Sequence, residues 1–286
     1  MKVNVILITY NQEQYIRQTL ESILMQKCNF EIEIIVADDA STDNTLPIIK
    51  EYIEQAPKHI SFHILQKESN LGFVKNYKRA FKACDGKYVS ILEGDDYWTT
   101  ENHIDSHVSF LESHSEFSMA YNRHIRCWVD ENREEIFDWS NENEYECITT
   151  PQLALGNRIG TLSCCTFRVD YIKKVDESLF DMEIADWMLG MVMGEYGNIA
   201  YLKEVTSAYR IHSKGQWSRM TPQEEGEKMI GLIDLYDKFL NYRYTKEFTQ
   251  HKKRIEIILY GDKSIKGKIK KITPSFIRKI YRRIIK

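Results

Sequence analysis

Apolar residues along the first hundred positions fall into two periods. "VNVILI" (3–8), "IEIIVA" (32–37), "ISFHIL" (60–65) and "KYVSIL" (87–92) are short, mostly Val- and Ile-rich runs that predict buried strands. Between them apolar positions recur at three and four: Ile16, Leu20, Ile23 and Leu24, then Leu46, Ile49 and Ile53, then Phe73, Tyr77, Ala80, Phe81 and Cys84. That spacing predicts a helix after each of the first three strands, with Asn11 as the N-cap of the first. Such alternation predicts an α/β fold, a mostly parallel sheet covered by helices.

Beyond about residue 115 the pattern is less regular, and Trp and Tyr are scattered among charges from 121 to 147. A helix is expected over 184–195, strands near 199–211 and a helical segment over about 223–260. There is no internal repeat or low-complexity linker, so one compact unit is expected. Its parts are a first half (1–115), a second half (116–220), a helical extension (221–262) and a basic tail (263–286).

In open parallel sheets ligands bind outside the carboxyl ends of the strands. The polar stretches fall there: "TYNQ" after the first strand, "DDASTDNT" after the second, "KESNLG" after the third and "EGDDYW" after the fourth. Four loops are therefore expected to converge on one face. In the last of them Glu93, Asp95 and Asp96 crowd three carboxylates into four positions, where each raises the pKa of its neighbours unless a cation or hydrogen-bond network offsets the repulsion. Asp38 and Asp39 form a second acidic pair. One pair could accept hydrogen bonds from a base or ribose, the other could hold Mg²⁺ or Mn²⁺ beside a diphosphate.

Composition narrows the setting. With 286 residues and 43% hydrophobic content the chain can bury a full core. No apolar stretch approaches the roughly 20 residues needed to cross a bilayer, and the first residues do not resemble a secretory signal. A cytoplasmic protein is expected, and its six cysteines show no CxxC pair, which reads as free buried thiols. From Lys263 to Lys286 there are ten Lys and Arg and no Asp or Glu; against a net charge of −3, residues 1–262 carry −13. Ile265, Ile269, Ile272, Phe276, Ile280 and Ile284 recur through this tail, with Pro274 interrupting it, as in basic amphipathic segments that lie on an anionic bilayer. Docking on the acidic body is the alternative, and nucleic acid is not the expected partner.

The motifs in this order, "VILITYNQEQYIRQTLESILMQ", "IIVADDASTDNT", "NLGFVKN" and "EGDDYW", resemble the nucleotide-binding half of family 2 glycosyltransferases, which have the GT-A fold. "FDMEIADWMLGMVMGEYG" (180–197) is similar to the family segment that bears the catalytic base, and "YLKEVTSAYRIHS" (201–213) to its closing strand with a metal-facing histidine. The resemblance implies a metal-dependent, inverting transfer of a sugar from a nucleotide-diphospho-sugar. A UDP-hexose or UDP-N-acetylhexosamine is the expected donor, and a glycan or lipid-linked molecule of a bacterial surface polysaccharide the acceptor.

It also implies roles for particular residues. Tyr10, Asn11 and Asp39 would line the base, Lys75 would approach the uracil or diphosphate, and Thr9, Asp38, Asn70, Gly72, Asn76 and Glu93 would complete the nucleotide-sugar site. Asp95 would be the principal ligand of Mn²⁺ or Mg²⁺, with Asp96 close by and His212 completing the site. Asp186 would deprotonate the acceptor hydroxyl. The chain departs from the common DxD form at Glu93, and Ala185 precedes Asp186 where an acidic residue is usual.

Other signals are weaker. His103, His107 and His114 fall on one face of a predicted helix and, without a further ligand cluster, read as a solvated face rather than a zinc site. "GDKSIKGK" (261–268) misses P-loop spacing by one residue. "QWSRM" (216–220) has Met220 where processive family members have Trp, which favours single sugar addition. Two alternatives remain open at this point. A nucleotidyltransferase would need a Gly-rich basic loop after the first strand, which "TYNQEQY" lacks, and a catalytically inactive nucleotide-sugar-binding scaffold would keep metal-dependent binding without turnover.

Overall fold

The computed structural model describes residues 1–66, 68–138, 143–183, 186–215 and 219–261. The basic tail at 263–286, Ala185 and most of "QWSRM" lie outside the described residues. The first half runs β1 (Lys2–Thr9), α1 (Ile16–Leu24), β2 (Glu31–Asp38), α2 (Thr45–Ile53), β3 (Ile60–Ile64), α3 (Phe73–Ala83), β4 (Tyr88–Glu93), β5 (Tyr97–Trp98) and α4 (His103–Ser113). The rest runs β6 (Phe117–Trp128), β7 (Arg133–Phe137), β8 (Tyr145–Ile148), α5 (Thr150–Ala154), β9 (Cys165–Arg168), α6 (Val169–Ile172), α7 (Asp186–Met193), β10 (Asn198–Ile211), α8 (Pro222–Phe239) and α9 (Thr245–Tyr260).

The strands form one sheet in the order β3-β2-β1-β4-β9-β6-β10-β5, with β7 added to β6 and β8 to β10. The first four are mutually parallel, as the alternation predicts, and Thr9 pairs with Asp38 and Ile8 with Glu93 at their carboxyl ends. β1 shows why these strands read as continuous apolar runs. Its period of two sends Val3, Val5 and Leu7 into the layer under α1 and α2, and Ile6 and Ile8 into the layer under α3. The sheet continues through β9, antiparallel to both β4 and β6, into β6 and β10, so it passes beneath both expected halves.

Three expectations change. Asn11 does not cap α1, which starts at Ile16 after Tyr15. Asn11 adopts a left-handed conformation (φ 52°), and its Oδ1 accepts from the Thr42 backbone N–H at 2.8 Å, joining the first loop to the second. His103 and His107 are not a solvated face; both are fully buried. Their Nδ1 atoms meet the hydroxyls of Thr206 (2.8 Å) and Thr166 (3.0 Å), and the His103 ring stacks on Trp98. These partners come from β10 and β9, beyond the reach of local periodicity. His114 is half-buried and stacks on Phe110. All six cysteines are free thiols, and Cys147 is exposed rather than buried.

The expected helix over 184–195 is α7, preceded by residues outside the described set, and the helical segment over 223–260 divides into α8 and α9. Thr221 caps α8 by accepting from Glu224 N while Glu224 reaches back to Thr221 N, and Pro222 opens the helix. Both helices pack on Trp187 of α7. Its indole meets Tyr236, Phe248 and His251 edge-on at 5.5–5.8 Å and donates to Leu153 O at 2.7 Å. Asp186 precedes this anchor directly.

Trp187→Ala is expected to cost about 3–5 kcal/mol in chemical denaturation, because a fully buried aromatic is lost with its hydrogen bond. Leu235→Ala, on the exposed side of α8, should stay within about 0.5 kcal/mol of wild type.

Candidate active site

The polar loops at the carboxyl ends of β1, β2, β3 and β4 meet at a cavity of about 390 Å³. Thr9, Tyr10 and Gln12 enter from the first loop, Asp39 from the second, Asn70, Gly72, Phe73 and Asn76 from the third with the start of α3, and Glu93 and Asp95 from the fourth. The second half contributes Gly160, Thr161, Leu162 and Asp186 from the stretch between α5 and the start of α7. Tyr209, Arg210, Lys214 and Gly215 close it from β10 and the loop that follows.

At one end Asp39 organises the third loop. Its Oδ1 and Oδ2 accept from the backbone N–H groups of Leu71 and Gly72, each at 2.8 Å, and Asn70 Nδ2 donates to Asp39 O. Gly72 takes φ 83°, which suits glycine where the chain turns into α3. A carboxylate has about four acceptor positions, so Asp39 retains capacity on its cavity side.

Other expected binding residues serve the frame. Asp38 does not line the cavity: it is buried, and its carboxylate accepts from Thr9 Oγ1, Ser41 Oγ and Ser41 N. Asn11 holds the second loop, and Lys75 lies exposed on α3 away from the cavity lining. Asn76 reaches the cavity, but its amide is committed, donating to Ala37 O and accepting from Arg79 Nε, each at 2.7 Å.

The acidic cluster divides in a way the residue spacing does not reveal. Asp96 was expected beside the metal, yet it is fully buried, off the cavity and saturated. Its Oδ2 accepts from Ser163 Oγ at 2.5 Å and Thr161 Oγ1 at 3.3 Å, and its Oδ1 from Arg210 N at 2.8 Å. Asp95 faces the cavity, and His212 Nε2 donates to its Oδ2 at 3.1 Å. Glu93 also faces it and accepts from Tyr77 Oη at 3.1 Å. Burial, then the charges of Asp96 and Asp95, hold the Glu93 carboxyl well above the usual range. Burial and Asp95 push Asp96 up to about 8, against the hydrogen bonds it receives.

Arg210 is the main missed residue of this region. It is buried, its Nη1 donates to Asp95 O at 2.5 Å and its Nη2 to Gln18 Oε1, and its guanidinium lies near the rings of Tyr97 and Tyr15. From behind, Thr19 Oγ1 bonds to both Gly94 O (2.9 Å) and Asp96 O (2.7 Å). The fourth loop is thus fixed on two sides. Among the described residues no group of three or more His, Cys, Asp or Glu is arranged to hold a metal by itself. Asp95 and His212 could supply two ligands only if phosphate oxygens or water supplied the others, and His212 would exchange its bond to Asp95 for the ion.

Asp186 is the first residue of α7 and lines the same cavity as Asp39 and Asp95. Its Oδ2 accepts from Asn157 Nδ2 at 2.9 Å. Burial raises its pKa, opposed chiefly by Asn157 and then by the backbone of Trp187 and Gly160. A half-buried carboxylate with a raised pKa, facing a cavity, has the properties of a general base. Asn157 and Gly160 lie in the irregular region, where no periodic signal marked them; Gln12, Phe73 and Arg210 stood inside recognisable stretches without a reason to single them out.

Comparison with known proteins gives consistent results. The sequence model described as Glycosyl transferase family 2 matches residues 4–176. An uncharacterised protein of Mycobacterium tuberculosis is 31% identical over 218 residues, covering 75% of this chain and 60% of its own length. The chain therefore spans about three fifths of this curated relative. Among solved structures, Staphylococcus aureus TarS 1–349 in complex with UDP-GlcNAc superposes with a TM-score of 0.62 at 20% identity, covering 92% of this chain and 77% of that one. A mannosyltransferase from Pyrobaculum calidifontis, in complex with GDP-Man and Mn²⁺, also gives 0.62, at 15% identity over 91% and 70%. At these identities the likeness establishes the fold, which is GT-A.

Glu93 and Asp96 hold their protons more tightly in the folded chain than in the unfolded one. For Asp96 the stability this adds is complete below about pH 4 and is lost as the pH climbs through about 8. In chelator, wild type should therefore lose Tm relative to Asp96→Asn across that range. A constant difference between the two in a pH series of melting curves would contradict the assignment.

Proposed function

The chain belongs to glycosyltransferase family 2, and from that premise we propose that it transfers a sugar from a nucleotide-diphospho-sugar to a hydroxyl of a glycan or lipid-linked acceptor, with inversion. The observation that carries this reading is the single cavity that Asp39, Asp95 and Asp186 share. The nucleotide is placed at the Asp39 end, where Tyr10 offers a ring and Asp39 an acceptor for a base N–H. UDP-hexose or UDP-N-acetylhexosamine is the preferred donor, and the UDP-GlcNAc in the TarS title supports that choice.

The diphosphate is placed over Asp95, His212 and Lys214. Mn²⁺ or Mg²⁺ is assigned to that end in this reading, because Asp95 and His212 offer it an oxygen and a nitrogen. When bound, the ion would neutralise charge on the leaving diphosphate. Glu93, half-buried and with its pKa raised, faces the place of a sugar or ribose oxygen in this reading.

Asp186 takes the proton of the acceptor hydroxyl. The freed oxygen attacks the anomeric carbon from the face opposite the diphosphate; the new carbon–oxygen bond forms as the bond to the diphosphate breaks, and the nucleoside diphosphate leaves with that electron pair. The raised pKa of Asp186 makes it a stronger base, and Asn157 with the start of α7 holds the carboxylate in place. The basic segment 263–286 is proposed to hold the protein on an anionic membrane face, near a lipid-linked acceptor and a bacterial surface-glycan pathway.

Nucleotide release from a panel of UDP-, GDP- and dTDP-sugars tests the reading. One donor should be turned over with Mn²⁺ and not in chelator, and Asp186→Asn should reduce turnover by about 10²–10⁴ while UDP binding persists. Undiminished release by Asp186→Asn would remove Asp186 as the base. Binding without turnover in the presence of a lipid-extract acceptor would favour a sugar-nucleotide-binding scaffold. The full chain should also sediment with anionic vesicles at low salt and leave them at about 0.5 M salt, where charges are screened within a few ångströms; binding that survives this salt would contradict an electrostatic tail contact.

A further inference from the structure

Tyr209 brings a hydroxyl to the cavity and leaves it unengaged. The residue lines the cavity from β10 and is half-buried. Its Oη shares no hydrogen bond with any described residue, and it is not sealed from solvent, as Gln12 Oε1 on the same lining is. The polar groups around the cavity are otherwise taken. Thr9 Oγ1 donates to Asp38, Asn70 Nδ2 to Asp39 O, Asn76 Nδ2 to Ala37 O and Thr161 Oγ1 to Asp96. Tyr10 and Lys214 are also without such bonds among the described residues, but both are exposed.

The surroundings of Tyr209 explain why its hydroxyl stays free. A strand turns successive side chains to opposite faces, so Arg210 goes to Asp95 O and Gln18 while Tyr209 goes the other way. Arg126, in register with Tyr209 on β6, lays its guanidinium carbon 3.4 Å from the centre of the Phe137 ring, and the His124 ring stands edge-on to Tyr209 at 6.5 Å. Burial, then the charges of Asp96, Glu93 and Asp95, hold the phenol above the usual range. It therefore keeps its proton at neutral pH and is a hydrogen-bond donor.

Those charges also say where the phenol stands. It lies in the field of Glu93 and Asp95, where the proposed reading puts the diphosphate, and it shares the cavity with Asp186, where that reading puts the acceptor hydroxyl. The transferred sugar must span the two, because its anomeric carbon is bonded to the first and attacked by the second. We infer that Tyr209 is a specificity-determining residue for the transferred sugar: its hydroxyl donates to an oxygen substituent of the pyranose and so selects between epimers. A donor placed to bond one sugar oxygen disfavours the epimer that turns this oxygen away, since the polar group is then left unpaired. This inference rests on the proposed transferase reading.

The test is calorimetry on the full chain with Mn²⁺, with UDP and GDP alone and with UDP-glucose, UDP-galactose, UDP-GlcNAc and GDP-mannose as probes. Tyr209→Phe, which keeps the ring, should leave affinity for the nucleoside diphosphate within about twofold. It should weaken the preferred nucleotide-sugar about three- to tenfold, the worth of one neutral hydrogen bond, and narrow the spread among the hexoses. A hydroxyl that served only the fold would affect nucleotide and nucleotide-sugar alike, so an unchanged ratio of the two affinities overturns the inference. Should Tyr209→Phe fail to fold, the wild type decides with its preferred donor deoxygenated in turn at each sugar hydroxyl: a loss of about threefold or more at one position is expected, and no loss at any position overturns the inference. If neither UDP nor GDP binds wild type, the transferase reading fails and takes the inference with it, whereas nucleotide binding with an unchanged ratio removes the inference alone.

Discussion

The carboxylate of Asp96 is the tie on which the site depends. Without any exposed surface it bonds to Thr161 and Ser163 in the second half and to the backbone of Arg210 in β10. Those partners lie 65 to 114 residues away along the chain. Thr19 grips the same loop from α1 through two carbonyls. With the loop held from behind, Glu93 and Asp95 can only face forward into the cavity. The repulsion between like charges is met by hydroxyls, N–H donors and one arginine.

That arrangement explains which parts of the molecule could be read from residues alone. The strands and helices of the first half were legible because each carries its own period, and the carboxyl ends of parallel strands must open on one side. Asp39 and Asp95 could be found as acids at strand ends, and Asp186 through the resemblance of its segment to the family. Which acid of a pair turns inward could not, because the answer lies in distant partners. Asp38 and Asp96 differ from Asp39 and Asp95 by one position, and the hydroxyls of Ser41 and Ser163 decide their roles. Buried His103 and His107 were misread as a solvated face for the same reason, since their partners Thr206 and Thr166 belong to other strands. Asn11 and Lys75 carry family-like positions but stand outside the cavity lining, one as a loop brace and one on an exposed helix face.

The second half lacks a clear period because its elements are short and irregular, yet its anchoring is no looser. α7 is clamped by Trp187 against α8 and α9, so the C-terminal helices fix the position of Asp186 although they contribute no side chain to the cavity lining. Asn157 completes that placement from a stretch with no regular structure of its own.

β10 is a single strand of 14 residues that pairs with β8, β6 and β5 and ends at Ile211, next to His212. Because β6 and β9 join it to β4, opening the molecule like a pair of jaws would mean tearing a hydrogen-bond ladder. The exposed Tyr10 and the Lys214–Gly215 turn, which also line the cavity, stand on loops outside that ladder. On the proposed transferase reading, substitutions in those loops would change the pace of product escape without loosening the sheet that carries Glu93 and Tyr209.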